Sequence, residues 1–202
     1  TFIPVDPDLP NNRIQRIIEV SQAKYAINLT SCSFALSSVQ FINLDLQRNT
    51  TSSFPRAKDR DLKKTCYILF TSGSTGSPKG VKVSYENLNY FLQAIDQALL
   101  PDSPLRFLAH TTFSFDITFL EYLYPLYRGG YFYLANKKEK LNLGKFTHLL
   151  NEKDITYLQA TPSFWKIIIS HGWMGKSDLV ALSGGETLER KLANDISKKT
   201  KA

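Results

Sequence analysis

Residues 66–83 read CYILFTSGSTGSPKGVKV. The apolar run from Cys66 to Phe70 reads as a short buried strand, and Val81 to Val83 as another. Between them the chain places Thr71, Ser72, Ser74 and Thr75 among Gly73, Gly76 and Gly80, with Lys79 near the end. Glycines let a backbone turn tightly and bring its amide N–H groups close to an anion. Hydroxyls add donors, and a lysine adds a point charge suited to phosphate. The loop is not the G-x-x-x-x-G-K-[ST] type, because Gly76 is followed by Ser77-Pro78 and Lys79 precedes Gly80.

Upstream, Ile14, Ile17 and Ile18 recur at helical spacing after Pro7 and Pro10, which predicts a helix over 12–22. Tyr25 to Leu29 then reads as a strand, and the polar stretch 45–64 as a loop. Downstream, Leu88, Phe91, Leu92, Ile95 and Leu99 mark one helix face, with Ser84 as its N-cap and Glu86 in its first turn. Further strands are expected at 105–109, 131–134, 155–159 and 179–182. Helices are expected at 116–127, 143–152 and 163–171, with a last one opening at Gly184-Gly185. This alternation predicts an α/β fold: a mostly parallel sheet with helices on both faces. Ligands bind such sheets at the carboxyl ends of strands, where the glycine-rich turn and the Gly184-Gly185-Glu186 segment both fall. The organisation reads as an upstream βα segment (1–44), the polar loop (45–64) and a lobe (65–202) carrying the candidate site.

Composition narrows the class. Apolar residues make up 43% of the 202-residue chain, so it is not a disordered one. No run approaches the roughly 18 apolar residues of a membrane span, and the first ten residues do not form a signal peptide. Cys32 and Cys66 make neither a metal pattern nor a disulfide scaffold, which points to a cytoplasmic setting. The net charge of +7 comes largely from runs such as Lys137, Lys138 and Lys140, and Lys191, Lys198, Lys199 and Lys201. Without a nucleic-acid motif these read as solvated surface, so no nucleic-acid partner is expected.

The stretch T-S-G-S-T-G-S-P-K-G resembles the phosphate loop of the adenylate-forming (AMP-binding) superfamily, which includes the amino-acid adenylation domains of nonribosomal peptide synthetases, acyl-CoA synthetases and luciferases. The likeness covers almost the whole chain. Residues 3–16 (IPVDPDLPNNRIQR) resemble the family's Y-V-P-L-D-P-x-Y-P-x-x-R-I, residues 113–121 (FSFDITFLE) its F-D-x-S region, and residues 181–188 (ALSGGETL) its G-G-E-x-L stretch, in the family's order.

The resemblance implies ATP-dependent attack of a substrate carboxylate on the α-phosphate. The products are an acyl-adenylate and pyrophosphate, and the acyl group then passes to a carrier protein's phosphopantetheine thiol. Thr71, Ser72, Ser74, Thr75 and Lys79 would hold the leaving phosphates, with Gly73, Gly76 and Gly80 shaping the turn. Of these, Thr71 and Lys79 would act catalytically, as fixed donors aimed at developing charge. Gly184, Gly185 and Glu186 would lie along the adenine.

Asp116, beside Phe115, would pair with a substrate ammonium, which selects amino acids over fatty acids. Position alone leaves open a plain helix N-terminal aspartate. The pocket would be lined by Asp116, Ile117, Leu120, Gln159, Leu182 and Gly184, whose bulky members leave room for a small substrate, glycine first and alanine second. His110 could face the nucleotide or be a structural histidine. Trp165 and Trp173 read as packing residues and Cys66 as a small buried hydrophobe.

The resemblance also implies segments not found in these residues: Y-G-P-T-E, whose glutamate helps hold Mg2+, then T-G-D, then a small domain with a lysine at the reacting carboxylate. The chain therefore reads as a central piece of a larger adenylation domain, inactive until joined to the remainder. The rival readings are an acyl-CoA or aryl-acid ligase and a non-catalytic nucleotide-binding remnant.

Overall fold

The computed structural model describes residues 1–28, 39–43, 61–72, 78–101 and 104–201. Cys32, Leu29, most of the 45–64 loop, and Gly73, Ser74, Thr75 and Gly76 of the glycine-rich turn lie outside them. The chain forms two compact units, Thr1–Phe91 and Leu92–Ala202.

In the first unit, α1 (Asn11–Ser21) buries Ile14 and Ile17 and stops at Gln22, whose left-handed backbone (φ +53°) breaks the helical run. β1 (Tyr25–Asn28) pairs in parallel with β2 (Gln40–Asn43), a strand that sequence patterning does not anticipate. β3 (Thr65–Ser72) pairs with β4 (Pro78–Ser84), and this pair is antiparallel. The strand that leads into the glycine-rich stretch is therefore paired antiparallel with the one that follows it, and does not end in a parallel sheet as the sequence predicts. Only residues 73–77 separate the two strands, and a parallel crossover takes a dozen residues or more. On the outer side of β3, Phe2 donates from its N–H to Cys66 and accepts from the Ile68 N–H, at 3.1 and 3.0 Å. Cys66, Tyr67 and Leu69 are buried, which agrees with the apolar reading of Cys66.

α2 (Tyr85–Leu99) opens as the sequence predicts: Ser84 Oγ accepts from Asn87 N–H at 3.1 Å, and Asn87 Oδ1 accepts from Ser84 N–H at 3.2 Å. Its last residues belong to the second unit.

The second unit is built on four parallel strands: β5 (Arg106–Ala109), β6 (Tyr131–Leu134), β7 (Tyr157–Ala160) and β8 (Val180–Ser183), in the order β6-β5-β7-β8. Side chains of a strand alternate between faces, and β5 shows what each face meets. Phe107 stacks on Tyr157 at 5.1 Å and meets Tyr124 of α3 (Thr118–Tyr127) edge-on at 6.4 Å. Leu108, on the opposite face, joins a cluster with Phe146, Leu149 and Leu150 of α5 (Leu143–Glu152), Trp165 and Ile168 of α6 (Pro162–Ser170), and Ile196 of α7 (Arg190–Ser197). Helices thus cover both faces, as the alternating pattern requires.

α4 (Lys137–Leu141) is a further short helix made from what the sequence presents as a basic run. Asn136 and Glu139 close a reciprocal capping box around it, with N···O distances of 3.1 and 2.7 Å. The last helix starts at Arg190, not at Gly184-Gly185. Gly185 takes a left-handed backbone (φ +84°), which no helix can start from, and residues 184–189 run as a loop.

α3 ends in a Schellman turn: Gly129 N–H donates to Leu126 O at 3.1 Å and Gly130 N–H to Pro125 O at 2.8 Å, with Gly129 at φ +69°. A Cβ on Gly130 would fall onto the Leu105 backbone, to which the next residue, Tyr131, donates at 2.9 Å. Gly130→Ala is therefore expected to cost about 1–3 kcal/mol, the range of an overpacked site, and thermal melting would show the loss.

Candidate functional site

The hairpin of the first unit carries one set of candidate residues. Its register pairs Phe70 with Gly80, Thr71 with Lys79 and Ser72 with Pro78. Residues directly opposite in an antiparallel pair share a face, so the Thr71 hydroxyl and the Lys79 ammonium stand on one side of the hairpin mouth, both exposed. A hydroxyl and an ammonium are both donors, and they fit a phosphate chain. Gly80 has a packing reason as well: a Cβ there would come within 2.9 Å of Ile68 Cγ2 and 3.2 Å of Phe70 Cζ.

The second unit carries its own set at the carboxyl ends of its parallel strands. The chain leaves β5 at His110 and makes a tight path to α3. Along it Phe115 N–H donates to Thr112 O, Thr118 N–H to Phe115 O and Phe119 N–H to Asp116 O, at 3.1 to 3.3 Å. This path leaves Phe115 and Asp116 exposed and Leu120 buried. Asp116 sits two residues before the helix proper, where its Oδ1 accepts from Ile117 N–H at 2.8 Å. An ionised carboxylate has about four acceptor positions, so one bond leaves capacity for a ligand.

Strand parity brings the other expected pocket residues together. Gln159 follows Tyr157 by two, so both face the side on which α3 packs, and Leu182 is Gln159's direct partner on β8. Gln159 is 5% exposed and Leu182 half-buried. Gly184 continues the pairing with a 3.4 Å bond from its N–H to Ala160 O, and a Cβ there would meet nothing within 4 Å.

Glu186 is already engaged. Its carboxylate accepts from Ser163 N–H at 3.0 Å and from Ser163 Oγ at 2.5 Å, at the N-terminus of α6. These bonds hold its pKa below the usual carboxylate value. A lowered folded pKa adds stability above the unfolded value and loses it as pH falls through the folded one. Glu186→Gln is therefore expected to lower stability at neutral pH, with the difference shrinking as pH falls below the usual carboxylate range, which melting curves across that range would show.

Sequence reasoning did not single out Glu121. This fully buried carboxylate accepts from His110 N–H and Thr111 N–H at 2.9 Å each, and from Thr111 Oγ1 at 2.6 Å. Its signal was a lone acid inside the apolar run Phe119-Leu120-Glu121-Tyr122. His110 is a packed histidine, stacked on Phe164 at 5.1 Å with Nε2 at 2.8 Å from Gln159 O. No group of three or more His, Cys, Asp or Glu able to hold a metal occurs among the described residues, nor a helix there long and apolar enough to cross a membrane.

Thr71 and Lys79 are thus exposed on the paired strands of the first unit, and Asp116 is exposed on the segment that follows β5 in the second. The family model of AMP-binding enzymes matches residues 1–202, and the chain belongs to that family. Its homologues include nonribosomal peptide synthetase adenylation domains. It is 30% identical to a dimodular nonribosomal peptide synthase of Bacillus subtilis, over 96% of this chain and 8% of that protein. It is also 30% identical to a D-alanine–D-alanyl carrier protein ligase of Bacillus licheniformis, over 98% of this chain and 41% of that one. A solved four-domain nonribosomal peptide synthetase bound to AMP and glycine superposes with a TM-score of 0.80 at 30% identity, over 98% of this chain and 15% of the other. The chain thus spans less than half the length of each of these relatives.

Proposed function

We propose that this chain belongs to an enzyme that activates an amino acid, glycine by preference, as its adenylate and passes it to the phosphopantetheine thiol of a carrier protein. The observation that carries the reading is Asp116, exposed between β5 and α3, in a unit where α3 buries Leu120 and β7 and β8 set Gln159 beside Leu182. A carboxylate there meets the ammonium of an amino acid, and Leu120, Gln159 and Leu182 leave little room for a side chain. The glycine-bound synthetase and the D-alanine ligase among the relatives support both halves of it.

ATP brings the α-phosphorus that the substrate carboxylate attacks. One carboxylate oxygen bonds to that phosphorus as the bond to the bridging oxygen breaks, and pyrophosphate leaves with the electron pair. In this reading Thr71, Ser72 and Lys79, with Gly73, Ser74, Thr75, Gly76 and Gly80 of the same turn, hold the departing phosphates. Asp116, Phe115, Ile117, Leu120, Gln159, Leu182 and Gly184 hold the amino acid. Gly184, Gly185 and Glu186 border the adenine, with Glu186 also capping α6 through Ser163. ATP with Mg2+ and the remainder of the adenylation domain complete the site.

The test is amino-acid-dependent exchange of pyrophosphate into ATP by the full-length protein, with glycine, alanine, serine and a medium-chain fatty acid. Exchange strongest with glycine supports the reading, and exchange strongest with the fatty acid overturns the role of Asp116. Discrimination by the lost contact of one methyl is worth about 1–3 kcal/mol, so a clear preference for glycine over alanine would have to come from steric exclusion. A second measurement isolates the loop. Lys79→Ala is expected to raise the KM for ATP about 10- to 100-fold, the worth of one charge-assisted bond, and to leave the KM for the amino acid nearly unchanged.

A further inference from the structure

We propose that Glu121 is a positioning residue that clamps the loop bearing Asp116 and, through His110, sets that loop against Gln159; the inference rests on the amino-acid-activating reading above. Thr112 to Leu120 leave β5 and return into α3, and Glu121 closes the base of this excursion. Its Oε2 accepts from His110 N–H and Thr111 N–H at 2.9 Å each, and its Oε1 accepts from Thr111 Oγ1 at 2.6 Å. Tyr122, the next residue, donates from its hydroxyl to Thr111 O at 3.1 Å. Both ends of the loop are thereby tied at one point, while Phe115 and Asp116 stand exposed along it.

His110 extends the clamp sideways. A carbonyl only accepts, so the 2.8 Å contact with Gln159 O puts the imidazole hydrogen on Nε2. The ring is held by stacking on Phe164 at 5.1 Å and by Phe146 edge-on at 5.2 Å, and the same Nε2 lies 3.9 Å from Glu121 Oε1. One chain of bonds therefore runs from the loop base to the strand that carries Gln159. A fully buried carboxylate satisfied by three donors is costly to disturb, because each donor would be left without a partner. Glu121 touches no substrate atom in this proposal; it acts by fixing where Asp116 stands.

The experiment uses the full-length protein with Glu121→Asp, which is too short to reach all three donors, Glu121→Gln, which keeps length and one oxygen, and Thr111→Val, which removes a single donor. Two quantities are read: hydrogen–deuterium exchange across residues 110–117, and the ratio of kcat/KM for the best amino acid to that for the same acid lacking its amine. The ratio is insensitive to the fraction of protein folded, so a merely structural role does not move it. Glu121→Asp is expected to speed exchange across 110–117 and to lower the ratio about tenfold, with the KM for ATP unchanged. Thr111→Val is expected to shift both in the same direction by about threefold, and serves should the aspartate variant fail to fold. Glu121→Gln is expected to stay close to wild type. An unchanged ratio in both Glu121→Asp and Thr111→Val overturns the inference. If the unmodified protein activates no amino acid, the reading of the function falls instead, and exchange across 110–117 alone decides whether the clamp holds the loop.

Discussion

Asp116→Ala is expected to lower kcat/KM for amino-acid-dependent pyrophosphate exchange by about 10²-fold or more. A substrate ammonium set against a carboxylate makes a charge-assisted bond, and removing the carboxylate leaves a desolvated cation with no counter-charge. Asp116 is exposed and spends one acceptor position on its neighbour's N–H, so its removal takes away no core contact. The variant should fold normally, and its melting temperature is the control. Asp116→Asn sharpens the test: it keeps shape and one acceptor and loses the charge, so it should fall between the two. If Asp116→Ala retains the full preference for amino acids over carboxylic acids without an amine, the ammonium-binding role is wrong.

Trp165→Ala is expected to destabilise the second unit by about 3–5 kcal/mol. Trp165 is fully buried in the cluster formed by α5, α6 and α7 beneath the sheet, and its ring lies 5.9 Å from Trp173. Its Nε1 also donates to Leu182 O at 3.0 Å, so truncation removes that bond as well as opening a cavity. Both tryptophans of the chain lie in this unit, and fluorescence from Trp173 reports on its unfolding after Trp165 is gone. Urea denaturation is the measurement, and a loss below about 1 kcal/mol would show that the cluster is not the core it is taken for.

Much of the second unit is legible from local patterns. Each of its strands is a short apolar run and most of its helices an amphipathic period, so element type follows from residue spacing. The face of α2 marked by Leu88, Phe91, Leu92, Ile95 and Leu99 and its Ser84 cap belong to the same kind of signal. Features that need a partner are read less well. The antiparallel sense of β3 and β4 depends on which strand each finds, although the five residues between them limit the choice. β2 has only four residues and little pattern of its own. α4 hides within a charge run because lysines mask its Asn136–Glu139 capping box. The start of α7 is displaced by the backbone of Gly185, which composition alone reads as a helix opening.

The candidate site divides in the same way. Its motif residues announce themselves by spacing, but the supporting Glu121 does not. Its significance comes from two backbone N–H groups and a hydroxyl ten or eleven residues earlier in the chain, which only the fold brings within reach.

The two-residue period of the strands also separates what this sheet can change from what it must keep. Gln159 and Leu182 project toward the α3 side, while Leu158 and Ala181 project toward the Trp165 cluster. The indole of Trp165 holds the Leu182 carbonyl and makes no demand on the identity of its side chain. On the proposed reading, substitutions at 159 and 182 alter the choice of amino acid one at a time, without repacking the interior on the other side. In that reading the two faces of one sheet divide the labour: one side meets the substrate and the other holds the fold.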